Sequence, residues 1–394
     1  MSSAHKKRVE SYFRQAIFLV KEYAGEVPFS IFIKQFFSEH KKFGSKDRKA
    51  ITALCYSYFR LGQSLRSAGD EDRMKTAIFL CDPPVEGAPE ILPQNFAEKI
   101  RLPIDKKIKF LSDIQPEFDA SEIFTFAGTS DGIEKTAFSI SHLIQPDLFI
   151  RLRPNKKEKV ISSLNRAAIP FEQIEDDCVA LPNGVKLEEA LQINTDVVIQ
   201  DLSSQNIKNL LEVIPTKNPL TIWDCCAGSG GKSILATDHL RVAALYVSDI
   251  RKSILINLRS RLKEAGLKQP HIFEADLSKG PARLNTKFDL IICDVPCTGS
   301  GTWGRTPENL SHFKEEEIAR YNDLQRKIVT NVSASLKKNG WLLYATCSVF
   351  RKENEDMVEF IEKTMQLRLI KCSVLKGYDK KADTLFAAIF QSDN

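Results

Sequence analysis

From about residue 201 onward, short apolar, β-branched runs alternate with segments whose apolar residues recur at helical spacing. That rhythm leaves few folds open. The strand-like runs lie at 220–225, 243–248, 271–275, 288–293 and 341–346, with helical patterns at 232–240, 253–265, 315–336 and 354–365 between them. Two further strand-like runs, 368–375 and 384–391, close the chain. Strands separated by helices predict a mostly parallel, doubly wound, Rossmann-like α/β sheet, whose ligands sit at the carboxyl ends of the strands.

The first third has a different pattern. Apolar residues at helical spacing predict helices over 9–23 and 29–40, the second opened by Pro28, and a third capped by Ser45 and running to Leu61. Pro83-Pro84 breaks the pattern, and shorter helices follow to about 130. Between these regions, 147–153 alternates like a strand, 157–167 reads as a helix, and 178–181 is a short strand before the Pro182-Asn-Gly184 turn. The expected organisation is a helical domain over 1–135, a small α/β module over 136–200 and the doubly wound domain over 201–394.

With 394 residues, 43% hydrophobic and 27% charged, the chain has globular composition. No apolar run reaches bilayer-spanning length, and the N-terminus lacks the apolar stretch of a secretion signal, so a soluble, cytoplasmic protein is expected, with no membrane partner. Nine cysteines, an odd number, two of them adjacent at 225 and 226, suggest free thiols in a reducing compartment. Residues 1–62 hold 12 Lys and Arg against 5 Asp and Glu, whereas the whole chain carries only +5. A basic end on a near-neutral body fits a polyanion-binding face or, equally, a solvated helix surface.

The strand ends carry the chemistry. The first runs into Asp224-Cys-Cys-Ala-Gly-Ser-Gly-Gly-Lys-Ser233, where Gly228, Gly230 and Gly231 allow a tight turn and close approach of a ligand. The second ends at Asp249, an acid able to accept from both hydroxyls of a ribose. The third ends at Asp276, placed for an adenine amino group. A glycine turn alone could be no more than a strand-to-helix connection; with two acids at successive strand ends it reads as a nucleoside pocket. Dinucleotides and S-adenosylmethionine both fit one. Gly231-Lys232-Ser233 matches the tail of a phosphate-binding P-loop, but Cys226 stands where that motif needs glycine, which argues against a nucleotide hydrolase.

The fourth strand ends in Cys293-Asp-Val-Pro-Cys297 and the fifth in Tyr344-Ala-Thr-Cys-Ser348. Cys55, Cys81, Cys178 and Cys293 read as small apolar core residues. Cys297 and Cys347 instead lie in polar surroundings at the ligand edge. The Cys293/Cys297 spacing and the absence of ligand-spaced histidines argue against a metal.

These blocks resemble the RNA cytosine-5 methyltransferases of the Sun (Fmu) type: 226–232, Asp294-Val-Pro-Cys297 and Ala345-Thr-Cys-Ser348, flanked by Gln200-Asp-Leu-Ser-Ser204 and Glu353-Asn-Glu355. The 147–153 strand resembles the start of the family's small RNA-recognition-like module. Gly44-Ser-Lys-Asp-Arg48 and the following helix resemble the NusB-like, RNA-binding domain of the bacterial ribosomal RNA members. The resemblance covers 145–394 specifically and 1–140 more weakly. It departs from the family at Gly228-Ser229, usually Ala-Pro, and at Gly304, usually Arg. It implies a class I methyltransferase sheet and methylation of carbon 5 of a cytosine in RNA, with ribosomal RNA favoured over transfer RNA. A monomer is expected, and the alternative to the enzyme is a non-catalytic, RNA-binding ribosome assembly factor that retains the fold. Cys347 is then the nucleophile and Cys297 assists release, while Asp294 and Lys232 contact the base and the active site. S-adenosylmethionine lies along Cys226, Ala227, Gly228, Ser229, Gly230, Gly231 and Lys232, with Asp249, Asp276 and Asp294. Such chemistry needs a thiolate, because carbon 5 becomes nucleophilic only after a sulfur adds to carbon 6.

Overall fold

A computed structural model describes residues 3–215 and 217–393. The chain divides into two compact units. One comprises Met1–Ala127, Glu134–Gln145 and Thr302–Glu315; the other comprises Gly128–Ile133, Pro146–Gly301 and Glu316–Asn394.

The first unit is helical, with α1 (Ser3–Glu22), α2 (Phe29–Glu39), α3 (Ser45–Arg60), α4 (Asp70–Cys81), α5 (Ile104–Ile114) and α6 (Lys135–Ser141) as its longer helices. Ser45 is the first helical residue of α3 and not its cap. The cap is Gly44, whose N–H donates to the Asp47 carboxylate at 2.7 Å. An acid three residues into a helix satisfies an orphan N–H at its start, so the serine is not needed there. Segment Thr302–Glu315, which follows the doubly wound domain's fourth strand in sequence, packs in this helical unit. Trp303 is buried beside Phe124, Phe126 and Phe313. Glu308, also buried, accepts from the Phe29 N–H at 3.1 Å and thereby caps α2, which Pro28 opens without a side-chain cap.

The second unit carries two sheets. The smaller is antiparallel, in the order β2-β3-β1-β4, from β1 (Leu148–Leu152), β2 (Glu172–Glu175), β3 (Cys178–Leu181) and β4 (Val197–Ile199), with α7 (Lys157–Arg166) packed on it. The larger holds β5 (Leu220–Asp224), β6 (Val242–Asp249), β7 (His271–Glu274), β8 (Phe288–Asp294), β9 (Leu336–Thr346), β10 (Leu367–Leu375) and β11 (Leu385–Ser392). Its order is β10-β11-β9-β8-β5-β6-β7. The five strands from β9 to β7 run parallel, and β11 and β10 complete the edge antiparallel. The helices α8 (Gly231–His239), α9 (Lys252–Glu264), α10 (Glu316–Ser333) and α11 (Glu355–Met365) cover it, and two apolar layers fill its faces. This is a doubly wound, Rossmann-like α/β sheet. Its strand order reverses between β5 and β8, the point at which open α/β sheets bind ligands.

A buried ion cluster ties the small sheet to α8. Arg151 and Arg153 of the small module both pair with Asp238, at 2.6 and 2.8 Å, and the Arg151 and Asp238 side chains are 1% and 4% exposed. Arg151 also donates to Gln200 at 3.0 Å. Removing one member of a buried pair strands the remaining charge, so Asp238→Ala should cost about 3–5 kcal/mol. Asp238→Asn, which keeps an acceptor, should cost less. Urea unfolding midpoints measure both, and an Ala variant as resistant as wild type would show that the cluster contributes nothing.

Candidate active site

The site is assembled at the carboxyl ends of β5, β6, β8 and β9. After β5 the backbone turns through Cys226, Ala227, Gly228, Ser229 and Gly230 into α8, which Gly231 and Lys232 open. Gly230 has φ +83°, and a Cβ there would lie 2.4 Å from the Leu258 side chain, so only glycine fits between the turn and α9. Gly228, at φ +52°, faces open space apart from the Arg251 guanidinium at 4.0 Å. Its N–H donates to Asp249 at 3.0 Å, which fastens the turn to the end of β6. Ser229 is held from outside the turn by Arg261 at 2.7 Å.

Asp249 is nearly buried. Burial pushes its carboxyl up, but the Arg251 guanidinium and amide, with the Gly228 N–H, outweigh this and hold it below the usual range. Next along the chain, Ile250 is 54% exposed, a large apolar side chain open at the end of a strand whose last residues are buried. Asp276 stands two residues past β7. It accepts from the Ser278 amide and hydroxyl and pairs with Lys279, all within its own loop. Among the described residues, none of these contacts joins the Asp276 side chain to the other strand-end residues.

Beneath the turn, Asp224 is fully buried. It accepts from Ser233 at 2.6 Å, and its other oxygen has no partner among the described residues. Burial pushes this carboxyl up to about 7. Lys232 crosses to the end of β8 and pairs with Asp294 at 2.7 Å. Burial works against its charge, but Asp294 and, more weakly, Cys347 and Asp224 more than offset that, and the ammonium is favoured.

Cys297 and Cys347, on the loops after β8 and β9, come together with their sulfurs 3.2 Å apart, and the Cys347 amide donates to the Cys297 sulfur at 3.3 Å. The neighbouring thiol, with burial, pushes the Cys297 thiol well up. Cys225, by contrast, lies fully buried under the turn, its thiol pushed up mainly by burial. It behaves as a core residue.

The strand-end residues thus fall into three linked groups: Lys232 with Asp294, Cys297 with Cys347, and Gly228 with Asp249. Several polar residues in the same loops are not evident from strand ends alone. Glu353 and Asn354 hydrogen-bond to the residues flanking both cysteines, and the Glu353-Asn-Glu355 block was the one sequence signal for them. For Arg251 and Ile250 no signal existed beyond adjacency to Asp249.

Comparison with known proteins bears on the larger sheet. Residues 211–388 match the family model described as 16S rRNA methyltransferase RsmB/F. A relative from Bacillus subtilis, named probable ribosomal RNA small subunit methyltransferase B, is 29% identical over 229 residues, which are 56% of this chain and 51% of the relative. The chain therefore spans about half the length of the curated relative it matches. Among solved structures, that of PH0851 superposes with a TM-score of 0.67 at 18% identity, covering 98% of this chain and 99% of the other. A methyltransferase homolog protein from Pyrococcus horikoshii gives 0.56 at 20% identity, covering 70% and 93%. At such identities these structures support the fold. Residues 211–388 are therefore similar to the 16S rRNA methyltransferase RsmB/F family.

Proposed function

We propose that this protein methylates carbon 5 of a cytosine in RNA, with ribosomal RNA as the substrate class, through a covalent cysteine–cytosine intermediate. The observation that carries the reading is the pair of strand-end sulfurs 3.2 Å apart, on loops next to the Lys232–Asp294 ion pair. The family match and the relative's name support RNA, and ribosomal RNA in particular.

The residues fit S-adenosylmethionine. The Gly228 turn leaves open space for it, the Asp249 carboxylate faces the same turn, and Ile250 offers an exposed apolar surface for a purine. Asp249 would take the ribose hydroxyls in place of the Arg251 guanidinium it now holds, while the turn from Cys226 to Lys232, with Asp276 and Asp294, completes the pocket. S-adenosylmethionine, when bound, supplies the methyl group.

Cys347 acts as the nucleophile. Its sulfur, as the thiolate left once the thiol proton has passed to solvent, bonds to carbon 6 of a cytosine lifted out of its stack, and the C5=C6 π electrons move towards carbon 5, which gains electron density. The negative charge that develops towards ring nitrogen 3 is offset by the Lys232 ammonium, which Asp294 holds in place. Cys297 keeps its proton in the resting enzyme and can donate it as a hydrogen bond to the Cys347 sulfur. Once carbon 5 is methylated, Cys297, its own proton passed to solvent, takes the proton from carbon 5. The C–H electron pair restores the C5=C6 double bond, the S–C6 bond breaks, and Cys347 leaves as a thiolate. The basic excess of residues 1–62 serves the RNA backbone, which binds through counterion release.

Asp249→Ala should weaken S-adenosylmethionine binding, since each charge-assisted hydrogen bond contributes about 1.5–3 kcal/mol. Isothermal calorimetry on the apoprotein reads this directly, and an unchanged affinity would place the cofactor elsewhere. The two cysteines should separate cleanly. Cys347→Ala should bind cofactor and RNA but form neither 5-methylcytosine nor a covalent complex. Cys297→Ala should attack and methylate, then stall as a protein–RNA thioether that survives denaturing electrophoresis and is trimmed by ribonuclease to a small mass increment. The reverse pattern would exchange the roles, and turnover without any adduct in either variant would eliminate the covalent route.

A further inference from the structure

We infer that Glu353 is a positioning residue that clamps the two cysteine-bearing loops to each other and so sets the spacing of the Cys297 and Cys347 sulfurs. The inference deepens the reading above, in which both sulfurs act, and rests on it.

Glu353 is 0% exposed and ends the short turn Arg351–Glu353 just before α11. Its carboxylate receives four hydrogen bonds. One oxygen accepts from the Thr298 N–H and from Gln325, both at 2.9 Å. The other accepts from the Thr298 hydroxyl at 2.6 Å and from the Ser348 hydroxyl. Thr298 directly follows Cys297, and Ser348 directly follows Cys347. One side chain therefore grips both loops at the residue next to each sulfur.

The rest of the network has the same purpose. Gln325 donates to the Pro296 carbonyl at 3.0 Å, on the other side of Cys297. Ser300 bridges the loops again, 3.2 Å from the Ser348 hydroxyl and accepting from the Val349 N–H at 2.9 Å. The Tyr344 hydroxyl donates to the Glu353 carbonyl at 2.7 Å, which fixes the clamp to the end of β9. A buried carboxylate is costly unless its lone pairs are filled, and here neutral donors fill them. Glutamine in its place would turn an N–H₂ group towards donors, so the chemistry of the site calls for an acid. Asn354 has a different task, tying the Ser348 carbonyl and Thr346 to Ser130.

The test compares full-length wild type with Glu353→Gln, Glu353→Ala and Ser348→Ala, in two measurements. The first is disulfide formation between Cys297 and Cys347 with diamide, which becomes its hydrazine as the two thiols surrender two protons and two electrons. Peptide mapping by mass spectrometry distinguishes this pair from Cys225, Cys226 and Cys293. The second is methyl transfer, read as kcat and KM. In Glu353→Ala, cross-linking should slow by about tenfold and kcat should fall by roughly 10²-fold, the cost of misplacing reacting groups by about 1 Å. The KM for S-adenosylmethionine should stay within about twofold, which a generally disordered site would not allow. Glu353→Gln should recover part of both rates. Ser348→Ala, which removes a single donor, should slow cross-linking less and decides the matter if the Glu353 variants do not fold. Cross-linking and kcat equal to wild type in the folded variants would overturn the clamp. A wild-type protein that transfers no methyl group to RNA, but whose cross-linking still depends on Glu353, would overturn the proposed function and leave the clamp standing.

Discussion

Parallel pairing of β8 with both β5 and β9 is the constraint on which the site depends. Asp224 is in register with Ile292, and Asp294 with Ala345, so three strands finish within about one turn of chain of one another. The pairing continues past the strand ends: the Cys225 N–H donates to Ile292, and the Val295 N–H to Ala345. The glycine turn, the Lys232–Asp294 pair and the two cysteine loops are therefore launched from one hydrogen-bonded edge. A slip of one residue in either ladder would reverse which side chains face the core and would scatter these groups.

Launch alone does not bring two sulfurs together, since loops leaving neighbouring strands are free to diverge. Convergence comes from polar contacts that are buried and satisfied. The Gly301 N–H donates to the Cys347 carbonyl at 2.9 Å, and Thr384 of β11's approach returns a bond to the Gly301 carbonyl at 2.9 Å. Glu353, Thr298, Ser300 and Ser348 add the side-chain layer described above. Away from water each of these bonds is stronger than at the surface, and an unmade one is expensive, so the arrangement tends to be held as a whole.

The same economy explains the chemistry of the individual groups. Asp224 lies where water cannot reach, and its carboxyl is pushed up to about 7. Asp249, nearly as buried, is held low because a guanidinium and two backbone amides reach it. Lys232 keeps its charge because Asp294 is in contact. Burial acts on all three, and the partners within reach decide the outcome in each case.

Local patterns were enough for the larger sheet. All seven strands and the four longer helices of the larger sheet were legible from apolar period and β-branching, because each element is buried on a defined face and its sequence must show that face; only the start of β9 was misplaced, at 341 where the strand begins at Leu336. The glycine turn, Asp249, Asp294 and the two cysteines were also legible, since a parallel sheet puts its strand ends on one side. What a linear pattern cannot carry is a partner far away in sequence. The Ser45 cap was lost to Asp47, a competition visible only once the helix is built. Thr302–Glu315, expected within the doubly wound domain of 201–394, packs with the N-terminal helices because Trp303 and Glu308 find partners there. The sequence by itself determined the order of strands and helices and the side chains available at their ends. Only the tertiary structure decided that Glu353 would reach Thr298 and that two cysteines 50 residues apart would meet at 3.2 Å, because such contacts depend on the path of the folded chain between them.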